Sequence, residues 1–182
     1  MQQTLKRTEP LPSTLIEANN ESGQFLTFLL NGETYSLDIM RTKEIIEYGE
    51  LTRVPLMPDF IRGVINLRGS VVAVVDLSAR FGGKCSEVTK RTCIIMVEVL
   101  TDDGPLDVGL VVDCVLEVVE LSAEDIEPPP SFGTNIRSDF IEGMGKVDTR
   151  FVIILNVGKV LSVDELAAIG RVGRRDFHEE AD

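Results

Sequence analysis

Phe60-Ile61-Arg62-Gly63-Val64-Ile65-Asn66-Leu67-Arg68-Gly69-Ser70-Val71-Val72-Ala73-Val74-Val75-Asp76-Leu77 decides the fold, because the chain repeats its pattern further on. Phe60-Ile61-Arg62-Gly63-Val64 returns as Phe140-Ile141-Glu142-Gly143-Met144, a displacement of 80 residues. The same displacement carries Val71-Val72-Ala73-Val74-Val75 onto Phe151-Val152-Ile153-Ile154-Leu155, and Asp76-Leu77 onto Asn156-Val157. Upstream a second stretch repeats at 73: Leu37 and Ile39 fall on Leu110 and Val112, Glu44-Ile45-Ile46-Glu47 on Glu117-Val118-Val119-Glu120, and Pro55 on Pro128. An insertion between Pro128 and Phe140 accounts for the change of displacement. An internal repeat of this kind implies two similar modules that share a core.

Local signals make the modules β-structured. Phe25 to Leu30 reads as a strand, Asn31-Gly32 is a strong hairpin signal, and Tyr35, Leu37 and Ile39 alternate on one face. Residues 44–48 and their Val-rich counterpart 116–121 read as strands. Ile61 to Leu67 and Val71 to Leu77 form a hairpin, with Gly69 supplying the positive φ of the connection and Arg68 at its tip. Thr92 to Leu100 and Leu106 to Val112 form the next hairpin, and Ser122-Ala123-Glu124-Asp125 starts a helical turn. Ser162-Val163-Asp164-Glu165 matches a capping box and predicts a short helix over about 162–169. The expected fold is mainly β: two five-stranded antiparallel barrels sharing a hydrophobic core, one from about 24–85 and one from about 92–161. Elements are free to swap between the barrels. Residues 1–22 and 171–182 are expected to be flexible arms.

Composition narrows the function. A net charge of −12 disfavours nucleic acid and anionic lipid. The three cysteines, Cys85, Cys93 and Cys114, are not at metal-ligand spacing and suit a reducing, cytosolic compartment. No apolar run approaches the ~20 residues a bilayer span needs, so no direct membrane contact is expected. The single histidine, His178, lies in the charged tail, which leaves imidazole-based triads and zinc hydrolases without a base. Gly82-Gly83-Lys84 lacks the phosphate-loop pattern, and the acidic pairs Asp102-Asp103 and Glu124-Asp125 lack that of a calcium loop.

An aspartic-protease reading would use Asp76 and Asp148, but the repeat pairs Asp76 with Asn156, and Arg150 stands where that chemistry needs glycine. A small-ligand sensor with a pocket between the barrels is a further class. The expectation is no catalytic residue, no metal and no cofactor. What remains is an asymmetry: Asn66-Leu67-Arg68-Gly69 in the first module is Lys146-Val147-Asp148-Thr149 in the second, so the repeated fold does not require Arg68.

The run from Phe60 to Gly69, together with Tyr35-Ser36-Leu37-Asp38-Ile39 and Val108-Gly109-Leu110-Val111-Val112-Asp113, resembles the CheW family of bacterial chemotaxis coupling proteins over about Gln24 to Ala168. The resemblance implies a non-catalytic adaptor that joins the cytoplasmic tips of transmembrane chemoreceptors to a CheA-type histidine kinase. It places the adaptor in the cytoplasm, recruited to membrane-associated receptor arrays. It implies a receptor-binding groove between the barrels at Thr42, Glu44, Ile45, Gly63, Asn66, Leu67, Arg68 and Gly69, in which Glu44 and Arg68 form an orienting ion pair. It assigns no kinase-contact residue. No segment resembles a receiver domain.

Overall fold

Tight turns with left-handed backbone set the hairpins. Asn31 and Gly32 take φ of 53° and 82°, and Arg68 and Gly69 take 54° and 88°, a twist that matches that of the flanking strands. The computed structural model describes residues 22–129 and 138–161. Its strands are β1 (Ser22–Leu30), β2 (Glu33–Asp38), β3 (Thr42–Glu47), β4 (Ile61–Leu67), β5 (Ser70–Asp76), β6 (Cys93–Thr101), β7 (Gly104–Val112), β8 (Cys114–Ser122), β9 (Ile126–Glu127), β10 (Ile141–Val147) and β11 (Arg150–Leu155). Two single-turn helices, α1 (Leu77–Arg80) and α2 (Val157–Val160), complete the described elements apart from short 3-10 turns. The expected arms, the 162–169 helix and most of the 129–139 link lie outside the described residues.

The strands form two sheets, in the orders β8-β1-β2-β11-β10-β9 and β3-β6-β7-β5-β4. Each sheet takes strands from both halves of the chain. The β1–β2 hairpin completes the sheet of the second half, and the β6–β7 hairpin completes that of the first. Replacing each strand by its repeat partner converts one order into the other, except that β9 extends the first sheet. The register agrees: in one parallel junction Ile153 faces Tyr35 and Ile154 faces Ser36, and in the other Ala73 faces Val108 and Val74 faces Gly109. Shifting the β11 residues back by 80 and the β2 residues forward by 73 turns the first register into the second. Both β4–β5 and β10–β11 carry a bulge at the same place, between Ile61 and Gly63 and between Ile141 and Gly143.

The architecture is mainly β with two similar sheets, as the repeat implies. Pairing is antiparallel at every junction but those two parallel ones. A parallel pair needs a crossover, and turn residues, which encode only hairpins, give no warning of it. Among the described residues neither sheet closes by a backbone ladder; each packs around a side-chain cluster of its own.

Burial on both faces explains the unbroken Val runs. Along β5, Ala73 and Val75 enter the core shared by the sheets, with Phe28, Leu37, Ile95, Leu110 and Leu155. Val72 and Val74 face the other way, into a cluster inside the curl of their own sheet with Ile94, Met96, Val111, Ile46 and Leu67. The second sheet repeats this with Phe25, Leu121, Ile154, Val119 and Val147. Each such side chain contributes about 1.5–3 kcal/mol when fully buried. Truncating Leu110 to Ala would therefore cost about 2–5 kcal/mol.

Asp76 and Asn156 end β5 and β11 in the same manner. Their Oδ1 atoms accept the amides of Ala79 and Lys159 at 3.2 and 3.1 Å, and so cap α1 and α2. Their own amides donate to the carbonyls of Phe60 and Phe140 at 2.7 and 2.8 Å.

Candidate functional site

The β4–β5 tip is built by its own side chains. Asn66 Oδ1 accepts the Gly69 amide at 2.9 Å, which braces the turn and fixes Arg68 in its left-handed conformation. From there Arg68 Nη2 donates to Glu44 Oε1 at 2.8 Å. The Glu44 hydrogen bond, then its charge, raises the guanidinium pKa above its ordinary value. The Arg68 side chain is 74% exposed and that of Glu44 27%. A pair this wet adds little to stability, so its consequence is geometric.

That geometry is specific. β3 and β4 are the two edges of the five-stranded sheet, and no backbone hydrogen bond joins them. Ile46 of β3 and Leu67 of β4 meet in the cluster inside the curl, and the Arg68–Glu44 pair spans the same seam from outside. Arg68 therefore acts as a clasp across the open seam. Lys43, next to Glu44, is held by both carboxylate oxygens of Asp107 at 3.1 Å, and the Asp107 hydrogen bond raises its pKa.

The other groove residues divide into surface and support. Ile45 is an exposed large hydrophobe at 42%. Thr42 is half-buried, and its Oγ1 lacks a hydrogen-bond partner among the described residues. Leu67 points into the sheet cluster. Gly63 is buried: its φ is 152°, and an added Cβ would lie 2.5 Å from the Thr52 carbonyl oxygen. The close approach comes from the backbone pairing of Thr52 with Val64. Gly63 thus shapes β4, while Asn66, Arg68 and Gly69 are exposed at the tip.

A second polar group was not legible as a unit. The Asp76 side chain is fully buried, with Oδ2 3.1 Å from Arg62 Nε and accepting the Ser86 amide at 2.9 Å. The Arg62 contact is one of charge, since Nε makes no aligned hydrogen bond. Arg62 Nη2 donates to the Ser86 carbonyl at 2.7 Å, and its guanidinium lies over Tyr48, 5.5 Å from the ring centroid. The only sequence signal was the contrast of Arg62 and Asp76 with Glu142 and Asn156 at the repeated positions. A buried, salt-bridged Asp76 and an exposed, turn-forming Asp148 do not make a proton-sharing pair.

In the second module the clasp is missing. The counterparts of Glu44 and Arg68 are Glu117 and Asp148, two acids. There the seam is apolar: a Cβ on Gly145 would lie 2.5 Å from Leu121 Cδ1, and β9 adds to the edge of β10. The duplicated frame thus carries an Arg, Arg68, at the left-handed turn position of one tip and an acid, Asp148, at the equivalent position of the other.

The sequence profile of the CheW-like domain matches residues 24–165, which covers all described strands except the first two residues of β1. The chain belongs to the CheW-like family. Chemotaxis protein CheW of Klebsiella aerogenes is 36% identical over 151 residues, covering 83% of this chain and 89% of that protein. That of Rhizobium meliloti is 32% identical over 149 residues, covering 82% and 94%. Protein FrzA of Myxococcus xanthus is 28% identical over 130 residues, covering 70% and 78%. Among solved structures, scaffolding protein TtCheW from Thermoanaerobacter tengcongensis superposes with a TM-score of 0.71 at 37% identity, covering 79% of this chain and 94% of that one. This CheW-family chain is thus a chemotaxis scaffold with two similar β-sheets.

Proposed function

We propose that the chain is a non-catalytic adaptor that couples the cytoplasmic tips of chemoreceptors to a CheA-type histidine kinase. The observation that carries this is the one-sided clasp: within a CheW-like frame, the turn position that holds Asp148 in one tip holds Arg68 in the other, paired across the seam to Glu44 at 2.8 Å, with Ile45 exposed on the same strand. An apolar stripe on a receptor helix would lie on Ile45 and the Thr42 edge, with Arg68 and Asn66 setting its direction. The kinase would use another face. Either contact is weak by itself, and a membrane-associated array would make both effective through multivalency. Among the described residues no helix is long and apolar enough to cross a membrane, and no cluster of His, Cys, Asp or Glu could hold a metal.

The test is reconstitution. Purified chain is added to a CheA-type kinase and a receptor-tip helical bundle, and receptor-dependent phosphorylation is followed. Wild type is expected to raise kinase output. Arg68→Glu is expected to abolish the effect while its Tm stays within about 2 °C of wild type. No effect of folded wild-type chain on kinase output would overturn the proposal.

A further inference from the structure

The loop after β3 exposes an unusual residue. Leu56 is fully exposed and holds a φ of 64°, left-handed backbone in a bulky residue with no glycine to relieve it. Such strain persists where the surroundings or a ligand require it. Leu56 stands beside Pro55, Met57 and Pro58, which line an open cleft of about 940 Å³. Three cations, Arg53, Arg62 and Lys84, line the same cleft against one acid, Asp59. Arg62 is committed to Asp76, but among the described residues the Arg53 and Lys84 side chains make no ion pair. A positive cleft with an apolar lip is out of character for a chain of net charge −12.

The chain itself contains a complementary segment. Asp176-Phe177-His178-Glu179-Glu180-Ala181-Asp182 carries four carboxylates and, at Phe177, the sole aromatic after Phe151. The described chain reaches Leu161 beside the cleft: Arg80 Nε donates to the Val160 carbonyl at 2.7 Å, and the neighbouring Ala79 forms part of the cleft wall. The fifteen residues from Leu161 to Asp176 reach at most about 50 Å fully extended, and about 35 Å with 162–169 helical as the sequence predicts. The cleft lies well within that radius.

We propose that residues 176–182 dock intramolecularly in this cleft, with their carboxylates on Arg53 and Lys84 and Phe177 against Leu56 and Met57. Tethering gives an effective concentration of about 1 mM, so an intrinsic Kd of about 0.1–1 mM keeps the cleft half to nine-tenths occupied. The segment thereby shields a basic, apolar surface from other acidic partners and is displaced by a better one. The inference does not depend on the adaptor reading, and its test uses the isolated chain.

Cys85 lines the cleft and is exposed, so its alkylation reports occupancy. Site-resolved maleimide labelling of the full chain is compared with that of a variant carrying Asp176→Asn, Glu179→Gln, Glu180→Gln and Asp182→Asn. Buried Cys114 serves as the folding control. Labelling at Cys85 is expected to rise about two- to tenfold in the variant, and in the unmodified chain at high salt. Carbodiimide coupling of the unmodified chain should join Lys84 to a carboxylate of 176–182 within one molecule, and Phe177→Ala should weaken that product. Equal Cys85 rates overturn the inference. So do crosslinks that form between molecules or go to Lys90 or Lys146 instead.

Discussion

Removing the carboxylate of Asp76 tests whether the buried Arg62–Asp76–Ser86 group holds the β4–β5 module together. Asp76→Ala strips the 3.1 Å charge contact from Arg62, the 2.9 Å acceptor from the Ser86 amide and the 3.2 Å cap from the Ala79 amide. Breaking a buried pair from one side costs about 3–5 kcal/mol. Arg62 keeps 20% of its side-chain exposure, its bond to the Ser86 carbonyl and the Tyr48 ring, which places the loss at the lower end, about 3 kcal/mol. Asp76→Asn introduces the side chain found at position 156, keeps the α1 cap and loses the charge, for about 1.5–2 kcal/mol. Urea denaturation followed by circular dichroism, with m-values checked for constancy, reads both. A cycle with Arg62→Met should show a coupling of at least about 1.5 kcal/mol between the two positions. An Asp76→Ala loss below about 1 kcal/mol, or additive losses from Asp76→Ala and Arg62→Met, would refute the argument.

Gly63→Ala drives a Cβ into the Thr52 carbonyl and strains a φ of 152°, so it should cost about 2–4 kcal/mol by the same denaturation assay. The double reversal Glu44→Arg with Arg68→Glu rebuilds the clasp with opposite polarity, and receptor-dependent kinase output should recover in part relative to Arg68→Glu alone. Asp125 has its pKa lowered by the Ser122 amide and then by the Ser122 hydroxyl, each 3.0 Å from Oδ2. Its contribution is present above the unfolded carboxyl value near 4 and disappears as pH falls through the lower folded value. Carboxyl chemical shifts followed through an acid titration should show Asp125 protonating below the ordinary aspartate value, and Ser122→Ala should move its midpoint upward.

The repeat made the fold legible beyond the strand level. Displacements of 73 and 80, read from residues alone, reappear as the offsets relating the two parallel junctions at Tyr35–Ile153 and Val108–Ala73. The junctions themselves were hidden, because nothing local to Tyr35 or Ile153 announces a partner more than a hundred residues away. The helices α1 and α2 were too short for a periodic signal. Asp76 read as a turn or cap residue after an apolar strand, and Asn156 was visible only as its counterpart in the repeat. At the site, the Asn66-Leu67-Arg68-Gly69 turn and its unrepeated cation stood out in the sequence. The burial of Gly63 and the inward turn of Leu67 did not, since both depend on Thr52 and Ile46 arriving from other segments. Arg62 read as one more charge in a β-run, and only packing shows it meeting Asp76 and Ser86.

The exchange of hairpins governs how this chain must be made. Ser22 pairs with Ser122, so β1, the first of the described strands to be synthesised, waits a hundred residues for its outer neighbour. Folding gated by such distant closures belongs to the slow end of the range for domains of this size, and nascent β1 stays open to wrong partners meanwhile. Severing the 82–91 connection would not free two independent halves. Each fragment would hold a hairpin belonging to the other, and recombined fragments would have to reassociate by strand exchange to recover either sheet.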